Sequence, residues 1–504
     1  MRIEIGCILL FLGFQFAGAA AEVQTVQIDC ARIDRKLTGS PLGININYLL
    51  DDDRNRNAVR SVEKAVSELG ARFLRYPGGE KSDSFLWSVP PFDKPLPTVA
   101  RVGASEWPSC DRTLMAADGK SYLTHPLDFD RFIEICRAAK AEPICVVCFD
   151  AMFKPAEAGG KAPSRDELFQ TAVNWVRYAN ITCKHHVKYW ELGNESYLGG
   201  DNGAPTSAEY AREFAAFAKA MKAIDPEILI GANGPGDLNA VGAADKKASR
   251  QTGWWETVLT QAGEHVDFLI VHDYPCWTWK TYGYYVEKHP DLGASLRAAH
   301  QVIAKFAPPA HKDRIRILIT ELNSADWLGF PENTGWKHQN TMGHALVLSD
   351  MFAGYLMDDR VDAALIWNTR WMKNATAPEL WDTLDANNAL LPTGHVLALW
   401  NGAIGREIYH STGTQSVSVF ASGEDGGSGL RVILANRDLV AHPTILKIAA
   451  PADFSSGTAT CLAGDGADDL HPSMRALPFT RVDRGEWKLD CPAVSVVSIR
   501  FEKK

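Results

Sequence analysis

The 504-residue chain is predicted to be an α/β protein, a (β/α)8 TIM barrel with a C-terminal β-sandwich domain completed by an N-terminal strand. Three observations carry this expectation. Between residues 42 and 404, short apolar runs alternate with segments of helical period until eight runs have passed. Those runs are apolar on both sides, as parallel strands covered by helices are. From residue 405 the helical period stops, and short strands separated by turn residues follow.

Residues 1–21 read as a signal peptide: Ile5 to Ala17 is an apolar core, and Ala19-Ala20-Ala21 supplies small residues before Glu22. That run is shorter than the ~20 apolar residues a bilayer span needs, and no later segment approaches that length. The mature chain is therefore expected to be secreted or periplasmic, with no membrane span. Residues 22–41 hold a strand of sandwich texture that should return to the C-terminal sheet. In the barrel, 42–404, strands are read at 42–48, 72–75, 143–148, 187–191, 227–231, 266–271, 315–319 and 361–366. Helices at 58–69, 128–139, 165–180, 207–224, 253–262, 294–306 and 343–356 separate them. In the first helix Val59, Val62, Val66 and Leu69 recur on one face. Pro77-Gly78-Gly79 stops the second strand, and a polar, aromatic insertion runs from 80 to 126. Strands at 416–421, 430–435, 444–449 and 494–501 build the sandwich, 405–504.

A net charge of −9 does not supply the basic surface that nucleic acid requires. Of ten Cys, Cys7 lies in the leader. Cys136, Cys145 and Cys148 sit in apolar patterns as buried thiols. Cys145-Val-Val-Cys148 has metal-like spacing, but it lies within a strand and has no second pair near it. Cys30, Cys461 and Cys491 fall in terminal β segments, where one disulfide is expected. Lys184-His185-His186 lacks a third ligand, so neither a metal nor another cofactor is expected.

A barrel of this kind gathers its active site at the C-terminal ends of its strands. Taken in order, those ends carry Asn45, Asn47 and Tyr48; Arg75 to Gly79; Phe149-Asp150; Asn194-Glu195; Asn233; His272-Asp273-Tyr274; Glu321; and Trp367-Asn368. Glu195 and Glu321 stand out, because two facing carboxyls are what glycosidic cleavage requires. One protonates the leaving oxygen, while the other attacks the anomeric carbon or activates water. Arg75 is placed to orient one of them or to form a simple ion pair. Glu191, lower on the same strand as Glu195, reads as a structural, paired carboxylate.

Tyr189-Trp-Glu-Leu-Gly-Asn-Glu195 resembles the acid/base motif of glycoside hydrolase clan A, closest to family 51, the α-L-arabinofuranosidases. Leu74-Arg-Tyr-Pro-Gly-Gly79, His272-Asp-Tyr274 and Ile319-Thr-Glu-Leu-Asn323 resemble that family's second, sixth and seventh strand motifs, in the same order. The resemblance implies a retaining mechanism, with Glu195 as general acid/base and Glu321 as nucleophile. It implies that Asn194 binds the sugar 2-hydroxyl, that Arg75 and Tyr274 orient Glu321, and that His272 contacts the sugar or Glu195. Asn47, Glu80 and Trp367 complete the substrate-binding candidates. The chain departs from the family at two of them. Asn47 stands where the family usually carries a Glu that binds arabinose, and Glu80 where it usually carries a sugar-binding Asn.

The expected activity is exo-hydrolysis of plant or algal polysaccharide fragments, arabinofuranosidase-like. A glucuronidase of family 79 type, a xylosidase of family 39 type, an endo-glycanase and a carbohydrate-binding protein without turnover are the alternatives. The last predicts loss of one carboxylate, and both are present. The insertion at 80–126 would wall the cleft into a pocket. The aromatic run Pro275 to Tyr285, with Trp87, Trp107, Trp327 and Trp336, suits either a sugar-stacking wall or loop packing. Asn194-Glu-Ser196 also matches a glycosylation sequon.

Overall fold

The computed structural model describes residues 22–503 apart from 101–121, 154–161, 199–204, 237–252, 276–280, 325–339, 372–380, 425–427 and 451–453. The signal segment, Trp107, Trp327, Trp336, part of the aromatic run after Pro275 and the middle of the insertion lie outside the described residues.

The first strand, β1 (Gln24–Lys36), belongs to the second sheet. The barrel opens with β2 (Leu42–Asn45) and β3 (Phe73–Tyr76), and a two-stranded ribbon of β4 (Phe85–Leu86) and β5 (Thr98–Val99) follows in the insertion. Six further strands complete it: β6 (Glu142–Val147), β7 (Tyr189–Leu192), β8 (Leu229–Asn233), β9 (Phe268–Asp273), β10 (Arg316–Leu322) and β11 (Val361–Ile366). All eight are parallel, and the barrel closes where β11 meets β2, with Ala364 opposite Leu42.

Side chains alternate with the strand period of two. In β7, Tyr189 joins a lumenal cluster with Ile144, Phe268, Ile270, Leu318 and Leu365, whereas Trp190 and Leu192 belong to the outer core shared with the helices. Glu191 therefore turns back into the lumen. In β3, Phe73 packs on the same cluster and Leu74 faces outward, which turns Arg75 inward. One strand breaks the alternation. In β10, Ile319 lies opposite Val271 and Glu321 opposite His272, so two residues of β10 span one step of β9. A bulge of this kind re-aims the side chain that follows it.

Local signals set the helices. Ser61 caps Val62–Leu69, and Gly70 ends it in the left-handed region. Thr206 and Glu209 form a capping box on Ser207–Ile224. A further helix, Pro392–Ala403, follows β11. Trp87, on the insertion, is fully buried; its indole donates to Thr171 O at 3.0 Å, and it stacks on Trp175 at 6.0 Å. It is core packing rather than a sugar wall.

The second sheet has ten strands. β12 (Glu407–Thr412), β13 (Val417–Glu424), β14 (Ser428–Asn436), β15 (His442–Ala449), β16 (Phe454–Ala463), β17 (Ser473–Ala476), β18 (Phe479–Asp483), β19 (Glu486–Cys491) and β20 (Ser495–Lys503) join β1. The sheet curls into a sandwich-like layer around Val26, Tyr409, Leu446, Trp487 and Phe501. β1 lies within it, antiparallel to β12 and parallel to β15. Arg35 on β1 donates to the carbonyls of Leu356 and Val361, both at 2.7 Å, and so pins the sheet to the barrel. Part of the aromatic run serves the same junction. Tyr282 donates to Arg437 O at 2.7 Å, and Tyr285 bonds Asp350, which also accepts from Arg437 Nε.

Cys30, Cys136, Cys145, Cys148, Cys183, Cys461 and Cys491 are all free thiols, which corrects the expected disulfide. Cys461 and Cys491 are sealed in the sheet core while Cys30 is only half-buried on β1. Burial pushes the Cys461 thiol up to about 11 and the Cys491 thiol up to about 12.

Candidate active site

The lumen-facing side chain of β3 is the hub of the site. Arg75 is fully buried, and four residues take its hydrogens. Nε donates to Glu191 Oε2 at 2.9 Å, Nη1 to Glu321 Oε1 at 2.8 Å and Asn45 Oδ1 at 3.1 Å, and Nη2 to Asn194 Oδ1 at 2.8 Å. Burial opposes the guanidinium charge, but Glu191 and Glu321 outweigh it and hold the group more firmly protonated than a free arginine. Removing either carboxylate would leave this charge under-compensated, at a cost of ~3–5 kcal/mol.

After β7 the chain turns sharply. Gly193 (φ 77°) and Glu195 (φ 48°) both lie in the left-handed region. A Cβ on Gly193 would fall 2.6 Å from Asp150 Oδ2, so only glycine fits there. For Glu195 the conformation is strained, and neighbours hold it in place. Asp150 Oδ2 accepts from Asn194 N at 3.0 Å and from Ser196 Oγ at 2.9 Å. Asn233, at the end of β8, accepts from Ser196 N at 2.9 Å. The turn is thereby clamped from both adjacent strands. Asn194 and Ser196 are buried, which encloses the sequon in the fold.

From the other side come β9 and the bulged β10. Tyr274 Oη donates to Glu321 Oε2 at 2.8 Å, so each oxygen of Glu321 receives one donor, Arg75 on one and Tyr274 on the other. Burial, with Glu321 and Glu195 nearby, pushes the Tyr274 phenol well above its ordinary range, so it remains a proton donor. His272 Nδ1 lies 2.8 Å from Glu195 Oε1 and 3.5 Å from Glu321 Oε2. Burial works against an imidazolium, but Glu321 and Glu195 outweigh it and raise the His272 pKa.

The two carboxyls differ in setting. The Glu321 side chain is 6% exposed and anchored on both oxygens, while that of Glu195 is 28% exposed. One oxygen of each, together with a His272 ring nitrogen, lies within 4.8 Å of the others. Among the described residues this is the group of three that a cation could bridge. Its geometry suits hydrogen bonding better. The 2.8 Å from His272 to Glu195 is shorter than the ~3.3 Å between two ligands of one tetrahedral zinc. Arg75 and Tyr274 already occupy Glu321.

Three sequence candidates stand apart from this cluster. Asn47 was expected to face the sugar. Instead its Nδ2 donates to Arg370 O at 3.0 Å and its Oδ1 accepts from Leu49 N at 3.1 Å, so the carboxamide holds the loop after β2. Glu80 is solvent-exposed on the 3-10 turn Gly79–Ser84. Trp367, at the end of β11, is 3% exposed and packs on Gly79, where a Cβ would lie 2.2 Å from its ring. Asn45, Asp150 and Asn233 stood among the strand-end polar residues without a role. The structure makes them supports: Asn45 Nδ2 ties Thr320 O to Ile366 O, and the other two clamp the Glu195 turn.

A family model described as an alpha-L-arabinofuranosidase 1 domain matches residues 65–266. The chain is 26% identical over 339 residues to an intracellular exo-alpha-(1->5)-L-arabinofuranosidase of Acetivibrio thermocellus, covering 62% of this chain and 57% of that protein. It is 28% identical over 203 residues to alpha-L-arabinofuranosidase C of Emericella nidulans, covering 38% and 35%. The chain thus spans just over half the length of the first of these relatives and about a third of the second. Among solved structures, a GH51 alpha-L-arabinofuranosidase from Thermotoga petrophila superposes with a TM-score of 0.67 at 18% identity, over 95% of this chain and 100% of that one. A family 51 alpha-L-arabinofuranosidase from Bifidobacterium longum gives 0.70 at 15% identity, over 95% and 99%. The chain is thus similar to α-L-arabinofuranosidases in its barrel sequence and to the family 51 structures in fold.

Proposed function

We propose that the protein is a retaining glycoside hydrolase, exo-acting and α-L-arabinofuranosidase-like, working by double displacement on plant or algal polysaccharide fragments. One observation carries this reading: oxygens of Glu195 and Glu321 lie within 4.8 Å of each other across the barrel mouth. Retaining enzymes keep their carboxyls ~5–5.5 Å apart, and inverting enzymes separate them by ~6.5–9.5 Å to admit a water.

The two settings support a division of labour. Glu321, fixed on one oxygen by Arg75 and on the other by Tyr274, is oriented for in-line attack on the anomeric carbon, forming a glycosyl ester as the bond to the leaving oxygen breaks. Glu195, more exposed and touched by His272, gives its proton to the leaving oxygen. It then takes a proton from the water that cleaves the ester. Asn194, held by Arg75 beside Glu195, is set to meet the 2-hydroxyl.

Hydrolysis of a panel of aryl glycosides (α-L-arabinofuranoside, β-D-xyloside, β-D-glucuronide, β-D-glucoside, β-D-galactoside) tests the reading. The arabinofuranoside should be cleaved, with kcat falling on the order of 10³-fold or more in both Glu195→Gln and Glu321→Gln. Cleavage that survives both substitutions would refute the carboxylate pair.

We also propose export. The apolar run Ile5 to Ala17 followed by Ala19-Ala20-Ala21 supports it, whereas the Acetivibrio thermocellus relative is named intracellular. N-terminal sequencing after expression with secretion machinery should return a chain starting at Glu22. An intact Met1 would overturn export.

A further inference from the structure

We propose that Glu191, the buried carboxylate four residues before the candidate acid/base, is a positioning residue that sets the plane of Arg75 and through it the placement of Glu321 and Asn194. This rests on the catalytic reading of Glu195 and Glu321 given above.

The geometry is one-sided. Glu191 Oε2 is 2.9 Å from both Arg75 Nε and Arg75 Nη2, so it grips one edge of the guanidinium. Its other oxygen, Oε1, is buried without a hydrogen-bond partner among the described residues. Its hydrogen bonds therefore all go to Arg75. A guanidinium is planar, and its donors point in fixed directions, so fixing one edge fixes the other two. With the Nε edge seated on Glu191, Nη1 is aimed at Glu321 Oε1 and Nη2 at Asn194 Oδ1, each at 2.8 Å. Both recipients flank the site where the reacting carbon would sit.

Without the Glu191 charge, the strongest remaining partner of Arg75 is Glu321. A guanidinium released from one carboxylate turns to grip the other bidentately. That rotation would take Nη2 away from Asn194 and press on the Glu321 oxygen that Tyr274 holds. The sugar would still bind, but the nucleophile would no longer be in line. Misplacement of ~1 Å at a reacting group costs ~10²-fold. The loss should fall on kcat rather than KM when rates are taken per folded enzyme, since a smaller folded fraction alone also lowers the apparent kcat.

The test uses Glu191→Gln, which keeps shape and an acceptor oxygen but removes the charge, and Glu191→Asp, which keeps the charge but shortens the reach. On the glycoside the wild type cleaves, Glu191→Gln should lower kcat by ~10–100-fold with KM within ~3-fold, and Glu191→Asp should recover part of the loss. A kcat within ~2-fold of wild type in Glu191→Gln would overturn this inference and leave the glycosidase reading standing. The second readout needs no substrate. The Arg75 Nε–H resonance, assigned by its loss in Arg75→Lys, should be slow to exchange in the wild type and fast in Glu191→Gln. Unchanged exchange would overturn the seating of Arg75 by Glu191. A wild type inactive on every glycoside would instead refute the catalytic reading, and the exchange measurement would still decide the seating.

Discussion

Replacing Asp150 with alanine tests whether the turn that presents Glu195 is held by force. Asp150 is buried, and its Oδ2 accepts from Asn194 N and Ser196 Oγ at 3.0 and 2.9 Å. Hydrogen bonds to a charged group are each worth ~1.5–3 kcal/mol, so the two together hold ~3–6 kcal/mol. Against this, Glu195 sits at φ 48°, a conformation that costs a non-glycine residue ~1–3 kcal/mol. Once the clamp is gone the turn can relax, which returns that strain. The net expectation for Asp150→Ala is a loss of ~2–4 kcal/mol in unfolding free energy. Relaxation also moves the Glu195 carboxyl off the candidate reacting centre, so kcat should fall on the order of 10²-fold. Urea unfolding followed by circular dichroism measures the first quantity, and steady-state hydrolysis the second. Asp150→Asn, with one acceptor oxygen and no charge, should fall between alanine and wild type in both. If Asp150→Ala unfolds at the wild-type urea midpoint and turns over at the wild-type rate, the turn holds itself and the clamp argument fails.

Further outcomes follow from the same contacts. Tyr274→Phe removes one of the two donors on Glu321 and should lower kcat by ~10–100-fold, which steady-state kinetics reads directly. The His272 pKa is raised in the folded protein, chiefly by Glu321 against the effect of burial. A group whose folded pKa is raised adds stability in full below its unfolded value of about 6.5 and loses that contribution as pH rises through the folded value. The stability difference between wild type and His272→Gln should therefore shrink as pH rises above about 6.5. A difference that grows with pH would contradict the charge assignment. The seven described cysteines are free, so dithiothreitol should leave the melting temperature unchanged as far as they are concerned. Cys461 and Cys491 should react with a thiol reagent at pH 8 only after unfolding, and mass mapping of the labelled peptides checks this.

The barrel was legible because its strands bury both faces and its helices keep a clean 3.6 period. Val62, Val66 and Leu69 pack on one side of Val62–Leu69 as their spacing predicts, whereas Val59 lies before the helix and is 95% exposed. The helix Pro392–Ala403 escaped because Pro392, Gly394, Asn401 and Gly402 disguise it as loop. In the second sheet, β17 is exposed at every residue and β18 at all but one, so neither shows an apolar alternation to find. At the site, the rule that strand ends converge groups Arg75, Asn194, Glu195, His272, Tyr274 and Glu321 from the sequence alone. It did not say which way a loop side chain turns, so Asn47 was assigned to the sugar although it bonds backbone around Arg370 and Leu49. The bulge in β10 was also invisible, since Arg316–Leu322 reads as an unbroken strand. Glu191 was read correctly as a paired carboxylate. Its partner, which also holds Glu321, emerges only from the closed barrel.

The stereochemistry of the first-formed product tests the central claim most directly. One oxygen of Glu195 and one of Glu321 within 4.8 Å of each other suit the closer spacing of retaining enzymes, in which the carboxylate itself attacks the anomeric carbon. Proton NMR of a cleaved aryl glycoside, followed in the first minutes before the sugar mutarotates, should show an anomeric signal of the substrate's own configuration. A first-formed product of opposite configuration would mean that water attacks directly, and the assignment of Glu321 as nucleophile would be wrong.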